Sequence, residues 1–289
     1  HHTTPDPAAL QSYLAEMRAA HLTYAVMEVS SHALHQYRVW GIDFAAAIFT
    51  NLTQDHLDYH KTLEDYFLSK SLLFTHYAPH QLAVINSDCP YGRRLLRERG
   101  RTALSYGLSA TADCYAHSIQ SDLEGVRFIL SFRGNDYPVR STLCCLHNVY
   151  NILGVAACAL AQGISADVLT DALATFPGVP GRMQAVRCGQ PFAVFVDYAH
   201  TPDAFANIFS AVKPLCKGNV IAVFGCGGDR DRGKRPLMGA LASQYADYVI
   251  LTNDNPRSED ERSIIAEIEK GFTRRLVNRY EIIPDREAA

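Results

Sequence analysis

The run GCGGDRDRGKRP, from Gly225 to Pro236, places four cations within six residues directly behind a cluster of glycines. It follows the apolar stretch Val220 to Phe224 and leads into a helix with proline in its first turn. Glycines at such a junction let backbone N–H groups approach an anion, and the start of a helix favours negative charge. A phosphate or carboxylate ligand is therefore expected. Two familiar fingerprints fail here. Gly228 to Lys234 fits GxxxxGK, but Arg235 stands where a magnesium-binding Ser or Thr belongs, and Arg230 replaces the last glycine of GxGxxG. A charged surface turn is the plainer alternative. After the next apolar run comes Asp254-Asn255-Pro256-Arg257. If both loops face one crevice at the strand ends, Arg257 can grip a carboxylate in a two-pronged fork that lysine cannot copy. An ordinary Asp-Asn-Pro turn explains the same letters, and both readings stay open. Asp197, ending another apolar run, suits a ribose hydroxyl. Thr201, Pro202 and Asp203 beyond it suit a helix cap, which leaves His200 without a structural reason.

The first half of the chain carries oxygen ligands and imidazoles: Glu28-Val29-Ser30-Ser31-His32, then Asn51 to His60 with Asp55, His56 and Asp58. At neighbouring strand ends these can hold Mg²⁺, which prefers carboxylates, water and phosphate oxygens. Singly they are weak, because most such residues cap helices or sit satisfied in cores. Lys70 is stranger, since Phe67, Leu68, Leu72 and Leu73 surround it in sequence. Burial would lower its ammonium pKa, and a neutral amine takes up CO₂ as a metal-ligating carbamate. A snorkelling lysine fits the pattern equally.

These residues need a frame. Thr23–Val29, Ala45–Phe49 and Leu82–Ile85 read as buried strands, their apolar residues running without alternation. Helices are expected over 63–74 and 91–98, giving the β-α-β rhythm of a parallel sheet. Residues 126–132 and 137–142 flank Arg133-Gly134-Asn135-Asp136, a hairpin signal. Two helices follow, over 149–162 and 166–176. The Pro/Gly-rich 176–181 is the best boundary, so domains of residues 1–179 and 180–289 are expected. Ala193–Val196, Val220–Phe224 and Tyr248–Thr252 alternate with helices in the second, a Rossmann-like pattern. The fold class is thus α/β, with a central parallel-sheet domain followed by a Rossmann-like one, both incomplete.

Composition narrows the partners. The net charge of −3 over 289 residues does not favour nucleic acid or anionic membrane. The eight cysteines include no CxxC pair, so neither a disulfide framework nor a zinc site is implied, and reduced thiols suit the cytoplasm. No apolar run is long enough for membrane insertion.

In order along the chain, TTPD, MEVSSHAL, TNLTQDHLDYH, the Lys70 helix, HNVYN, PGRM, VDYAHTPDA, VFGCGGDRDRGKRPLMG and TNDNPRSED resemble the Mur ligase family, most closely its diaminopimelate-adding branch. The resemblance implies an ATP- and Mg²⁺-dependent amide ligase acting on UDP-N-acetylmuramoyl-L-alanyl-D-glutamate and meso-2,6-diaminopimelate, through an acyl phosphate. By it, Thr3, Thr4, Ser30, Gln36 and Arg38 bind the UDP-linked dipeptide. Glu28 and His56 ligate magnesium, and Lys70 is carbamylated. Asn148, Asn151, Arg182 and Asp197 face the nucleotide; Arg230, Asp254, Asn255, Pro256 and Arg257 recognise diaminopimelate. The family's GTNGKTT and GKGHE segments do not occur in this sequence. The chain is therefore expected to be a piece of the ligase, inactive alone. The rival readings are a related ligase of the folylpolyglutamate type, a non-catalytic binding module and, most remote, a nicotinamide oxidoreductase.

Overall fold

The computed structural model describes residues 3–53, 57–273, 276 and 278–289, with only the backbone of Leu57, Asp58 and Arg101. The chain divides into two compact units. One comprises His1–Gln120, Arg127–Arg140 and His147–Thr175; the other comprises Ser121–Val126, Ser141–Leu146 and Phe176–Ala289.

The first unit opens with helices α1 (Pro7–Ala19) and α2 (Ser31–His35), each started by a side-chain cap, Asp6 to the Ala9 N–H and Ser30 to the Ala33 N–H. Then come β1 (Ala46–Phe49), α3 (Leu57–His60), α4 (Leu63–Leu72), β2 (Leu82–Asn86), α5 (Pro90–Arg99), β3 (Ala103–Gly107) and β4 (Cys114–Asp122). Strands β1 to β4 pair in sequence order, all parallel. Ala83, Val84 and Ile85 are buried in succession, as a sheet covered on both faces requires. Phe67, Ile85 and Leu95 anchor the core beneath α4 and α5, and a fully buried side chain of this size contributes about 1.5–3 kcal/mol. Strands β5 (Gly125–Phe132) and β6 (Asn135–Ser141) extend the sheet through two-residue turns. Connections that short join only antiparallel neighbours, so the sheet is mixed rather than wholly parallel. Arg133 and Gly134 both take positive φ, 50° and 80°, the hairpin turn expected there. Helices α6 (Leu146–Ala161) and α7 (Ala166–Thr175) follow.

The second unit begins with β7 (Gln184–Val186) and β8 (Val194–Val196), then α8 (Pro202–Val212), β9 (Ile221–Phe224), α9 (Lys234–Tyr245), β10 (Tyr248–Leu251), α10 (Glu261–Glu269) and β11 (Tyr280–Ile282). Strands β9, β10 and β11 form a parallel sheet in the order β11-β10-β9. Met238, Ala242, Val249, Leu251 and Ile268 fill its core. Among the described residues no helix is long and apolar enough to cross a membrane.

Two expected strands differ. Thr23–Val29 forms no strand; Val26 is 98% exposed, while Met27 and Val29 pack on the Leu10–Leu34–Val39 cluster. Its apolar run serves a loop with one covered side, which sequence continuity alone cannot distinguish from a strand covered on both. Ala193–Val196 does not join the parallel sheet. It pairs antiparallel with β7 and buries only the Phe195 side, against Cys144, Cys145 and Met183.

Candidate functional site

In the first unit a polar cluster gathers on α2, α3 and α4. Thr4 is fully buried. Its hydroxyl donates to the Glu28 carbonyl (2.9 Å) and accepts from the Ser30 N–H (3.0 Å), tying TTPD to the start of α2. Arg38 donates to the Thr4 carbonyl (3.2 Å) and, through Nε, to the Gln36 amide oxygen (2.9 Å); Gln36 in turn donates to the Tyr59 hydroxyl (3.2 Å). The buried His60 links two helices, with Nε2 2.8 Å from Ser31 Oγ and Nδ1 3.3 Å from Ser69 Oγ. Its ring stacks on Tyr66 at 5.1 Å, and Lys70 Nζ lies 5.1 Å from the Tyr66 centroid. Thr4, Ser30, Gln36, Arg38 and Lys70 thus belong to one connected patch. The Glu28 side chain is exposed beside it, as is Thr3. His56 lies outside the described residues. Among the described residues no three His, Cys, Asp or Glu side chains converge as a metal cage. A magnesium ion does not need one: it is commonly held by one or two carboxylates, with water and substrate phosphate completing the shell.

The asparagines of HNVYN start α6: Asn148 is buried and accepts from Asn151 Nδ2 (3.1 Å). Tyr150 between them donates to Asp88 (2.9 Å), whose same oxygen accepts the Leu108 N–H (2.7 Å). Burial, and then the Asp88 carboxylate, push the Tyr150 phenol up to about 12.

In the second unit the loops after β9 and β10 lock together. A Cβ on Gly225 would lie 2.2 Å from the Thr252 carbonyl oxygen, and one on Gly228 1.8 Å from that of Pro256. The glycines therefore serve loop-on-loop packing, where an anion cradle was expected. The Gly228 N–H donates to the Asn255 carbonyl (3.1 Å) and the Asp229 N–H to Glu259 (2.7 Å), so both are already engaged. The cations are engaged too. Arg235, 0% exposed, pairs with Glu259 and Glu267; Arg232 pairs with Glu267; Lys234 donates to the His200 carbonyl (2.8 Å). Arg230 is exposed. Arg257 donates from Nη1 to the Gly228 carbonyl (2.6 Å). A cavity of about 890 Å³ is lined by Asn253, Asp254, Asn255, Pro256, Glu261, Arg262, Pro284, Asp285 and Arg286.

Asp197 turns inward: its oxygens accept the N–H groups of Met183 (2.7 Å) and Ala199 (2.8 Å), a turn-locking role where a ribose contact was expected. Arg182 is exposed, its guanidinium 5.3 Å from the Tyr198 ring. Thr201 caps α8 as its sequence suggests.

Comparison with known families places residues 1–159 in the Mur ligase middle domain and residues 181–289 in the Mur ligase, glutamate ligase domain. The chain belongs to the Mur ligase family. A UDP-N-acetylmuramoyl-L-alanyl-D-glutamate–2,6-diaminopimelate ligase from Syntrophomonas wolfei is 45% identical over 290 residues, covering 100% of this chain. One of the same name from Thermosynechococcus vestitus is 47% identical over 274 residues, covering 94% of this chain and 55% of its own length. A solved structure of a ligase so named superposes with a TM-score of 0.72 at 38% identity, over 99% of this chain and 59% of that one. The chain spans 59% of the length of the Syntrophomonas relative. Ser31 and His60 stood within expected ligand segments, whereas Ser69, 3.3 Å from His60 Nδ1, gave no signal as a single letter. Glu259 and Glu267 pair with Arg235 from 24 and 32 residues away, a distance no local pattern spans.

Proposed function

We propose that this chain forms the middle and C-terminal domains, residues 1–179 and 180–289, of a cytoplasmic ligase joining meso-2,6-diaminopimelate to UDP-N-acetylmuramoyl-L-alanyl-D-glutamate. The observation that carries this reading is the meeting of the loops after β9 and β10, which sets Arg257 against Gly228 while Asp254, Asn255 and Pro256 of the same loop line a polar cavity. An arginine in the loop that borders such a cavity suits an amino acid bearing a second carboxylate. The names of the similar ligases point to the same substrates.

A carboxylate resists condensation with an amine because its oxygens repel the nucleophile and hydroxide leaves poorly. The γ-phosphoryl group of ATP passes to the D-glutamyl carboxylate, and the amine then displaces phosphate from the acyl carbon. Such chemistry is mostly positioning and charge stabilisation. Thr4, Ser30, Gln36 and Arg38 orient the dipeptide end. Asn148 and Asn151, with Arg182, face the nucleotide. Glu28, His56 and a carbamate on Lys70 would hold Mg²⁺, which neutralises the phosphate charge when bound. Arg230 and the Asp254–Arg257 loop hold the incoming amino acid.

In a ligase of the relatives' full length bearing this sequence, Arg257→Ala should raise KM for diaminopimelate about 10- to 100-fold. That is the effect of losing a charged hydrogen bond of about 1.5–3 kcal/mol. KM for ATP should stay within about twofold. Equal rises in both constants would remove Arg257 from the amine site.

A further inference from the structure

We propose that Arg235 and Glu259, which reach no substrate themselves, are positioning residues that set how the loops carrying Arg230 and Arg257 face each other, and thereby the selectivity for an amine with a second carboxylate. This rests on the diaminopimelate reading above.

The geometry is a closed circuit. Arg235 sits in the first turn of α9 with no exposed surface. Its Nη2 donates to Glu259 Oε1 (2.7 Å) and to the Gly227 carbonyl (3.2 Å); its Nη1 donates to Glu259 Oε2 (2.8 Å) and Glu267 Oε2 (2.8 Å). Glu259 Oε1 also accepts the Asp229 N–H (2.7 Å). The Asp229 carboxylate then takes the Ser258 hydroxyl (2.7 Å) and N–H (3.2 Å). One guanidinium and one carboxylate thereby bind both loops at once. Three non-glycine residues in these loops, Asp229, Asn255 and Arg257, hold left-handed backbone with φ of 51°, 46° and 53°. Such conformations persist where surroundings over-determine them, and they gather at ligand clamps. The Arg235 fork makes four donor contacts, to both Glu259 oxygens, Glu267 and the Gly227 carbonyl, one more than the three N–H groups of a lysine ammonium allow.

Glu267 supplies an internal comparison. It accepts from the same guanidinium and from Arg232 at the far end of the first loop, and among the described residues it makes no hydrogen bond to residues 226–230 or 253–258. In the full-length ligase, Glu259→Gln should raise KM for diaminopimelate about tenfold and cut the kcat/KM preference for diaminopimelate over lysine by a similar factor. KM for ATP should move less than about twofold, and Glu267→Gln should leave all three values unchanged. Hydrogen exchange in residues 226–230 and 253–258 should quicken in Glu259→Gln while β9 and β10 stay protected. Equal effects of the two glutamine variants, or unchanged exchange in both loops, would overturn the proposal. Should Glu259→Gln unfold the unit, Glu259→Asp, which keeps the charge but shortens the reach, decides by the same split. A wild-type ligase that turns over lysine but no diaminopimelate would instead sink the underlying substrate reading, and the exchange of the two loops would still show whether the pair holds them.

Discussion

The two polar regions treat their charged motifs in opposite ways. Around α2 and α4 most internal bonds run through the Thr4, Ser31 and Ser69 hydroxyls and the His60 imidazole, with the Arg38 cation donating to the Thr4 carbonyl. Glu28 contributes its backbone carbonyl to this frame, and its carboxylate lies exposed. In the second unit, by contrast, Arg232, Lys234 and Arg235 are bound to protein, and most of the motif's charge builds the loops themselves. A charge-rich motif is thus no measure of the charge offered to a ligand. Arg230, by contrast, is exposed, and Arg257 donates to the Gly228 carbonyl across the two loops.

The contrast can be broken in four ways, from the largest effect down. In the full-length ligase, Lys70→Ala should cost on the order of 10²–10³-fold in kcat, the scale of removing one preorganised electrostatic contact. Added acetate should restore part of that rate by standing in for the proposed carbamate on Lys70; a variant indifferent to every short carboxylate would make Lys70 part of the frame. Gly228→Ala should destabilise the second unit by about 1–3 kcal/mol, since its Cβ would collide with Pro256. An unshifted melting curve would show that the loops part easily. Thr4→Val keeps the shape and deletes the hydroxyl between Glu28 and Ser30, for about 1–2 kcal/mol in thermal or urea unfolding of the first unit. A neutral result would leave that patch held by packing alone.

The smallest effect is a pH slope. The Arg235 hydrogen bonds, then the Asp229 N–H, hold the Glu259 carboxyl at about 2, below its ordinary 4.5. The folded form therefore binds its proton more weakly than the unfolded chain. The stabilisation is complete above pH 4.5 and drains away as pH falls towards 2. Acid titration of unfolding should be shallower in Glu259→Gln across that window. An identical slope would mean the pair contributes nothing to acid stability.

Much of this was legible in the letters. The Arg133-Gly134 turn, the cap at Thr201, and the strands at Ala46–Phe49 and Leu82–Asn86 follow from local backbone chemistry and apolar runs. Thr23–Val29 was misread because an apolar run does not say whether one side or both are covered. The anion cradle expected at Gly225–Gly228 was misread for a related reason. Glycine marks a close approach without naming what approaches, and here it is the backbone of Thr252 and Pro256.

The sequence by itself determined the α/β elements, their caps and turns, and the motifs that mark a Mur ligase, since each depends on residues a few positions apart. Only the tertiary structure decided which charges are engaged. Pairing Arg235 with Glu259 and Glu267, or His60 with Ser31, depends on helices and loops packed side by side, and a carboxylate's partner is chosen by distance in space.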